Sequence, residues 1–139
     1  MNFDFDIKGV EGLARDLQAV GRIPDAFKKE LVDAEAKVVE EGIVYNAGTM
    51  LQGPYYEAGI AHSVTRRKPK ITKNGAEAMI VFAGTQHGNR LGEIAFVNEY
   101  GKKNQAARPF IKNAIRDSAD RAADAARALV HGRFDLHNL

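Results

Sequence analysis

A long helical pattern in the first half of the chain is the strongest constraint on the fold. From Asp25 onward, apolar residues recur at the spacing of one helix face. This stripe contains Phe27, Leu31, Ala34 and Val38. The helix is predicted to run to about residues 46–48, where Gly48 would cap it. At 1.5 Å per residue, such a helix is about 30 Å long and crosses a whole face of a small sheet.

The middle of the chain predicts strands separated by glycine-rich loops. The uninterrupted apolar run at 78–83 is predicted to be the central strand. Lys73-Asn74-Gly75 is a turn signal, so residues 60–83 are predicted to form a hairpin. The other predicted strands cover residues 2–8, 58–65 and 94–100, and the predicted loops cover 49–57 and 84–93.

A second long helix is predicted near the C-terminus. Pro109 suits a first helical turn, because its missing N–H has no partner to lose there, and Gly132 is predicted to end the helix. A short amphipathic helix is predicted at 11–20. The stripe of the C-terminal helix contains Ile111, Ile115, Ala119, Ala122, Ala126 and Leu129. The fold class is therefore α+β, with a small antiparallel sheet of about four strands packed by the two long helices.

Length and composition favour one domain and exclude several protein classes. The chain has 139 residues, 45% of them apolar, and no cysteine, which rules out disulfides, a thiolate nucleophile and a cysteine zinc site. The acidic start and the lack of about 20 consecutive apolar residues predict neither a signal peptide nor a membrane span. We expect a protein made and kept in a cytoplasm. Residues 1–132 are interpreted as the domain and 133–139 as a candidate interaction arm, with Arg133, Phe134 and Leu136 as candidate docking residues.

The sequence contains no pattern typical of a catalytic, cofactor or metal site. The four histidines lie in different predicted elements, and none has a partner at metal-ligand spacing. The glycine-rich run at 84–92 lacks the lysine and hydroxyl residue of a phosphate loop, and no nucleophile elbow occurs. The carboxylates are interpreted as solvated groups on amphipathic helices. We therefore expect no cofactor, no metal and no enzymatic activity.

One short segment concentrates basic charge without any acid. Its cations are Arg66, Arg67, Lys68, Lys70 and Lys73. The segment is interpreted as a charged loop tip or edge, which also discourages aggregation of strands, or as a contact with an acidic protein surface or with phosphates. The net charge of +2 is too small to imply nucleic acid by itself, and no aromatic residues interleave with the bases. A solvated or protein-facing patch is favoured over DNA.

The most distinctive stretch is a predicted strand–loop–helix corner. Gly101 is predicted to make the turn, and Tyr100 and Phe110 are predicted to pack into the core. The motif residues of the corner are Val97, Glu99, Tyr100, Gly101, Pro109 and Phe110.

This corner resembles a family of small virion proteins of long-tailed bacteriophages, the minor tail components or head–tail joining (neck, tail-completion) proteins. Members carry a Val-Glu-Tyr-Gly-like strand end, a short variable loop, and Pro-Phe at the start of the last helix. Two looser matches keep the family's order along the chain: Gly9, Leu13 and Leu17, then Gly53-Pro54 followed by residues 59–64. The chain departs from the family in having Ala58 before Gly59, where threonine is usual, and in a longer loop at 85–92.

The resemblance implies a structural role in the virion. It implies an α+β domain that forms a homo-oligomeric ring, commonly sixfold, around the channel at the head–tail junction, assembled in the cytoplasm of the bacterial host. The implied partners are head-completion or connector proteins and tail-terminator or tail-tube proteins. DNA would pass through the channel without specific binding, and neither a membrane nor a catalytic activity is implied. The rival hypothesis is a small DNA-binding protein that uses residues 66–73.

Overall fold

The computed structural model describes residues 2–4, 23–51, 59–73 and 75–134, which form an α+β fold. The helices are α1 (Asp25–Met50), α2 (Gly59–Ser63), α3 (Leu91–Tyr100) and α4 (Phe110–Phe134). The strands are β1 (Asn2–Asp4), β2 (Val64–Arg66), β3 (Lys70–Thr72), β4 (Gly75–Glu77), β5 (Met79–Phe82), β6 (Thr85–Gln86) and β7 (Asn89–Arg90). The predicted helix at 11–20 and the end of the chain at 135–139 lie outside the described residues.

Helix α1 confirms the predicted long helix and extends it. Its first turn forms on the Pro24 carbonyl oxygen, which accepts hydrogen bonds from the backbone N–H groups of Phe27 and Lys28 at 3.0 and 3.1 Å. Its 26 residues give a length of about 39 Å. The predicted cap at Gly48 is wrong, because the helix continues to Met50 and ends at the buried Leu51. Packing of the leucine therefore outweighs the low helix propensity of the glycine.

The buried face of α1 is wider than the predicted stripe. Helix α4 and the strands both pack on α1, so residues on either side of one stripe are covered. Ala34 and Val38 are only half-buried. The buried residues of the helix are Phe27, Leu31, Val32, Glu35, Ala36, Val39, Ile43 and Ala47.

Strand β5 is the central strand of the main sheet, as predicted. It pairs with β1 and β2, antiparallel in both cases, with Phe3 opposite Ile80 and Thr65 opposite Val81. Ile80, Val81 and Phe82 are all buried, which explains why this strand reads as a continuous apolar run rather than an alternation.

The predicted hairpin is present and contains a bulge. Strands β3 and β4 pair after a turn at Lys73, and Lys70 lies opposite Glu77. The next pair toward the main sheet is Arg66 opposite Ile80. The chain therefore advances four residues from Arg66 to Lys70 but only three from Glu77 to Ile80, which leaves one extra residue on the first side. Such an extra residue bends and twists a hairpin. The predicted strand at 58–65 is mostly wrong, because residues 59–63 form α2 and only the end pairs in β2.

Helix α3 replaces the strand predicted at 94–100. The buried residues of this element are spaced by helical steps of one, three and four, a pattern that the short apolar run obscures. These residues are Leu91, Gly92, Ala95, Asn98 and Glu99. The predicted loop before it contains the tight hairpin of β6 and β7, whose turn residues His87 and Gly88 have φ values of 52° and 81°. Two consecutive positive φ angles are typical of a type I′ turn.

Helices α1 and α4 run antiparallel and pack against each other along the core. Asn46 Nδ2 donates to the Phe110 carbonyl oxygen at one end, and Arg133 binds Glu30 at the other. A Cβ atom at Gly42 would lie 3.5 Å from the Ala114 Cβ, so the small residues at these two positions allow the helices to approach closely. Gly132 does not end α4, which continues to Phe134. The buried residues of α4 are Phe110, Ile111, Ala114, Ser118, Ala122, Ala126 and Val130.

Candidate interaction surfaces

The motif residues lie at the junction between α3 and α4. The Glu99 carboxylate accepts hydrogen bonds from the backbone N–H groups of Ile111 and Lys112, at 2.8 and 3.0 Å. The first N–H groups of a helix have no partner within the helix, and a negative charge there also suits the helix dipole. Glu99 therefore caps α4 from the end of the preceding helix.

The loop of this corner is held in one shape. The Asn98 carbonyl oxygen accepts the Arg108 N–H at 2.6 Å, and the Asn98 side chain accepts from Gln105 Nε2 at 3.3 Å. Gly101 has a φ of 77°, and a Cβ atom at this position would lie 2.8 Å from the Ala107 nitrogen and from the Gln105 carbonyl oxygen. Only glycine fits that backbone, so the corner fixes the direction in which the loop leaves α3.

The structure confirms one of the two predicted core aromatics and corrects the other. Phe110 is fully buried and meets the Phe82 ring edge-to-face, with centroids 6.0 Å apart. Tyr100 is 62% exposed, so its predicted place in the core is wrong. Helical spacing turns Tyr100 away from the core while Glu99 beside it faces inward. Val97 is half-buried.

Two aromatic rings and two lysines form an exposed surface at this corner. Phe96 and Tyr100 lie one helical turn apart, with ring centroids 4.8 Å apart. Lys102 exchanges two backbone hydrogen bonds with Gln105, at 2.9 and 3.0 Å, so Lys102 and Lys103 project from a closed turn. Neither lysine forms an ion pair with another described residue. We call Phe96, Tyr100, Lys102 and Lys103 the α3 face.

A second exposed surface lies on α1. Glu41, Val44, Tyr45 and Gly48 follow the spacing of one helix face, and this side points away from the neighbouring buried residues Val39, Ile43 and Ala47. Tyr45 is 70% exposed, and a Cβ atom at Gly48 would meet nothing within 4 Å. Glu41 has no ion-pair partner among the described residues. We call these four residues the α1 face. Neither face was predicted from the sequence, because Tyr45 lies on the same side of the helix as the predicted stripe from Phe27 to Val38, and residues 94–100 were predicted to be a strand.

The basic segment is partly neutralised within the chain. Arg66 binds Asp33 at 2.9 Å and Glu40 at 3.2 Å, so it ties β2 to α1. Lys70 binds its cross-strand neighbour Glu77 at 3.2 Å. Three cations remain exposed without an ion pair in the part of the chain that the structure describes: Arg67, Lys68 and Lys73.

The predicted tail begins as part of α4. Arg133 donates to Glu30 Oε2 at 2.9 Å, and its guanidinium lies 4.8 Å from the centre of the Phe27 ring. These contacts hold the end of α4 against the start of α1. The side chain of Phe134 and the whole of Leu136 lie outside the described residues.

Glu35 contradicts the interpretation of the carboxylates as solvated groups. It is 1% exposed on the buried face of α1, and its Oε2 atom has no hydrogen-bond partner among the described residues. Burial raises its pKa from 4.5 to about 8, and the positive charge of Arg127 opposes this rise only in part. The neighbouring Asp33 and Glu40 are spaced like surface residues and bind Arg66, so charge spacing alone did not reveal Glu35.

Comparisons with known proteins place no further constraint on these surfaces. Protein-family models, curated proteins and solved structures were compared with the chain, and none matches it. Within the described ranges, no helix is both long and apolar enough to cross a membrane. The same residues contain no group of three or more side chains arranged to hold a metal ion.

Proposed function

We propose that the protein is a non-catalytic structural component of a bacteriophage head–tail junction and assembles there as a ring. The observation that carries the proposal is the corner of Glu99, Gly101 and Pro109-Phe110. These residues match the family pattern in order. The Glu99 carboxylate accepts hydrogen bonds from the Ile111 and Lys112 N–H groups, directly after Pro109-Phe110, and the backbone at Gly101 leaves no room for a Cβ atom. The element before the corner is a helix, whereas the family pattern has a strand there. The proposal is therefore supported by the motif residues themselves and not by the type of element that carries them.

The exposed apolar side chains also favour an assembled form. Val44 and Tyr45 lie on the α1 face, and Phe96 and Tyr100 on the α3 face, all at least one-third exposed. Clustered exposed aromatics are typical of protein–protein contacts. A closed ring needs two different contact surfaces on each subunit, and the chain presents two.

Deletion of the gene from the phage or prophage that carries it tests this role. We expect lysates to contain filled heads and separate tails, or heads with incomplete necks, under negative-stain electron microscopy. Supplying the chain from a plasmid should restore joined particles. Normal infectious virions in the deletion strain would contradict the proposal. Sedimentation of the purified protein, alone and with proteins encoded beside it, measures assembly directly. A monomer under every condition would contradict the ring.

The second candidate function is DNA binding through Arg67, Lys68 and Lys73. It is favoured by the exposure of these cations and by the absence of ion pairs to them within the described residues. Such binding depends on phosphate contacts and therefore weakens steeply with added salt. A gel shift with duplex DNA at low salt tests it, with Arg67→Ala/Lys68→Ala/Lys73→Ala as the variant. If the unchanged protein does not shift the DNA, this candidate is removed.

A further inference from the structure

The junction between α3 and α4 combines a concentration of positive charge with exposed aromatic rings. The segment from Tyr100 to Arg116 contains five cations and no acid, whereas the whole chain has a net charge of only +2. Acids therefore outnumber bases in the rest of the chain. At the start of this segment, the rings of Phe96 and Tyr100 are 42% and 62% exposed. Cations and exposed aromatic rings are the two components of surfaces that bind single-stranded nucleic acid.

Three lysines lie close to the two rings. Lys102 and Lys103 follow Tyr100 after one glycine, so the Lys102 Cα lies within about 7.6 Å of the Tyr100 Cα. Lys112 is held at the same junction, because its backbone N–H donates to the Glu99 carboxylate at 3.0 Å. All three lysines are exposed, and none forms an ion pair with another described residue. Their charges are therefore available to an anion.

The acids near the α3 face do not cancel this charge. Glu93 lies one turn before the first ring, and its charge is opposed by Arg90, whose Nε lies 4.0 Å from the Glu93 Oε1. Glu99 is 6% exposed, and both of its oxygens accept backbone hydrogen bonds at the start of α4. The next acid along the chain is Asp117, which binds Arg116 at 3.0 Å. The surface around the rings therefore keeps a net positive charge.

From these observations we infer that the α3 face and Lys112 bind a single-stranded nucleic acid, with the lysines on its phosphates and the two rings on its bases. Unpaired bases can stack on Phe96 and Tyr100, whereas the bases of a duplex are already stacked on each other. Stacking and phosphate contacts do not require a particular sequence, so binding has little sequence preference. A DNA strand and an RNA strand offer the same two kinds of group.

Other anionic partners fit this surface less well. Protein interfaces are depleted in lysine, and here lysine supplies the unpaired charge. A helix that binds a membrane surface needs a wide free apolar face, but α3 buries Leu91 and Ala95 in the core and exposes only two rings. The basic segment at 66–73 has Ile71 as its exposed large apolar residue, so it offers phosphate contacts without stacking.

The inference does not depend on the proposed ring, although both involve the α3 face. A strand stacked on Phe96 and Tyr100 would cover a surface that the ring would use for a contact between copies. The strand and the neighbouring copy would therefore exclude each other at this face.

Fluorescence anisotropy with a labelled oligo-dT of about 20 nucleotides tests the inference on the unchanged protein. An oligo-U and a DNA duplex of the same length are titrated in parallel at low salt. A duplex carries more phosphate charge, so charge alone would favour it. Because only the single strands offer free bases, we expect oligo-dT or oligo-U to bind at least about tenfold more tightly than the duplex.

A ring variant measures the contribution of stacking. Phe96→Leu/Tyr100→Leu keeps apolar side chains on the helix and should weaken binding of the single strand by about tenfold or more. Tyr45→Leu is the matched control, because it removes a tyrosine that is 70% exposed on the α1 face, and it should leave binding unchanged. Circular dichroism melts check the fold. If the double variant does not fold, Tyr100→Leu alone gives the measurement at the more exposed ring.

A lysine variant measures the phosphate contacts. Lys102→Gln/Lys103→Gln should reduce the slope of log affinity against log salt for the single strand by about 1.4, since each lost phosphate contact lowers it by about 0.7. Lys68→Gln/Lys73→Gln removes two exposed lysines from the basic segment at 66–73 and is the control. Its slope for the single strand should equal that of the unchanged protein.

The outcomes separate this inference from the proposed function. If neither strand binds, or if the duplex binds as tightly as the strands, the inference is overturned and the ring proposal stands. Equal losses in Tyr45→Leu and the ring variant also overturn it, as does displacement of the strand by poly-glutamate or phosphatidylglycerol vesicles at equal charge concentration. If the protein is a monomer under every condition but binds a strand through the rings and lysines, the ring is contradicted and the inference stands.

Discussion

Two buried glutamates in this protein have opposite surroundings. Glu99 is 6% exposed, and its carboxylate accepts two backbone hydrogen bonds at the start of α4. Glu35 is 1% exposed in the middle of α1, and one of its oxygens has no partner among the described residues. Burial raises the pKa of Glu35 to about 8. A glutamate thus caps a helix at one place, whereas at the other place burial disfavours its ionisation.

The difference follows from where each carboxylate meets a helix. A helix start offers several N–H groups without partners, and Glu99 reaches two of them. In the middle of a helix every N–H is already bonded to a carbonyl oxygen, so Glu35 finds no backbone donor there. Burial of an acid is therefore stabilising or costly according to the donors within reach.

Gly101→Ala is expected to have the largest effect, because it breaks the corner around Glu99. The added Cβ would lie 2.8 Å from two backbone atoms, in a conformation that favours glycine. Strain and overpacking together predict a loss of about 4 kcal/mol in the free energy of unfolding. Urea denaturation measures it. Gly48→Ala is the matched control and should be neutral or stabilising, since that position is helical and open. Equal losses in both variants would contradict the corner's role.

Glu35→Gln is expected to stabilise the protein, with a gain that grows with pH. The pKa of Glu35 is raised from 4.5 to about 8, so the folded state holds a proton that the unfolded state releases. The stability of the unchanged protein therefore falls as the pH rises from about 4.5 to about 8. One pKa unit corresponds to about 1.4 kcal/mol, and we expect a gain of about 3 kcal/mol at pH 9 after relaxation of the site.

The measurement is urea denaturation of both proteins at several pH values from about 4 to about 9, a range that brackets the ordinary pKa of 4.5 and the raised pKa of about 8. The two unfolding free energies should nearly agree at the lowest pH and separate as the pH rises. Glu41→Gln is the control, because this exposed residue lies on the same helix. A constant difference between Glu35→Gln and the unchanged protein at all pH values would show that Glu35 does not titrate as described.

Glu99→Ala should destabilise the protein, in contrast to the change at Glu35. It leaves the N–H groups of Ile111 and Lys112 without their acceptor. The lost cap and the charge-assisted hydrogen bonds predict a loss of about 2 kcal/mol. Thermal unfolding checks the value, and Glu93→Ala, on the exposed side of the same helix, is the control. If Glu99→Ala were neutral, water would be replacing the carboxylate and the corner would not depend on it.

The sequence predicted the two long helices and the central strand better than it predicted the corner between α3 and α4. The periods of α1 and α4, the turn at Lys73 and the apolar run of β5 come from local chemistry, so the α+β class was predictable. The element at 91–100 was misread because its apolar run has the length of a strand and no β-branched alternation to decide the matter. The burial of Glu35 depends on α4 and strands far away in the sequence, and no local pattern encodes it.

Arg66→Met is expected to have the smallest effect on the free energy of unfolding. It compares Glu35 with two other acids of α1 that do have a cationic partner. Asp33 and Glu40 flank Glu35 in the sequence, but they reach Arg66 at 2.9 and 3.2 Å and are partly exposed. Partly exposed ion pairs contribute little, so we expect a loss below about 1 kcal/mol that shrinks further in high salt. Methionine keeps the apolar stem, and Arg67→Met, which removes an exposed arginine, is the control. Urea denaturation at low and high salt measures both variants. A salt-independent loss of several kcal/mol would mean that Arg66, Asp33 and Glu40 act as a buried ion-pair network. Asp33 and Glu40 would then differ from Glu35 in having a cationic partner, and not in being exposed to solvent.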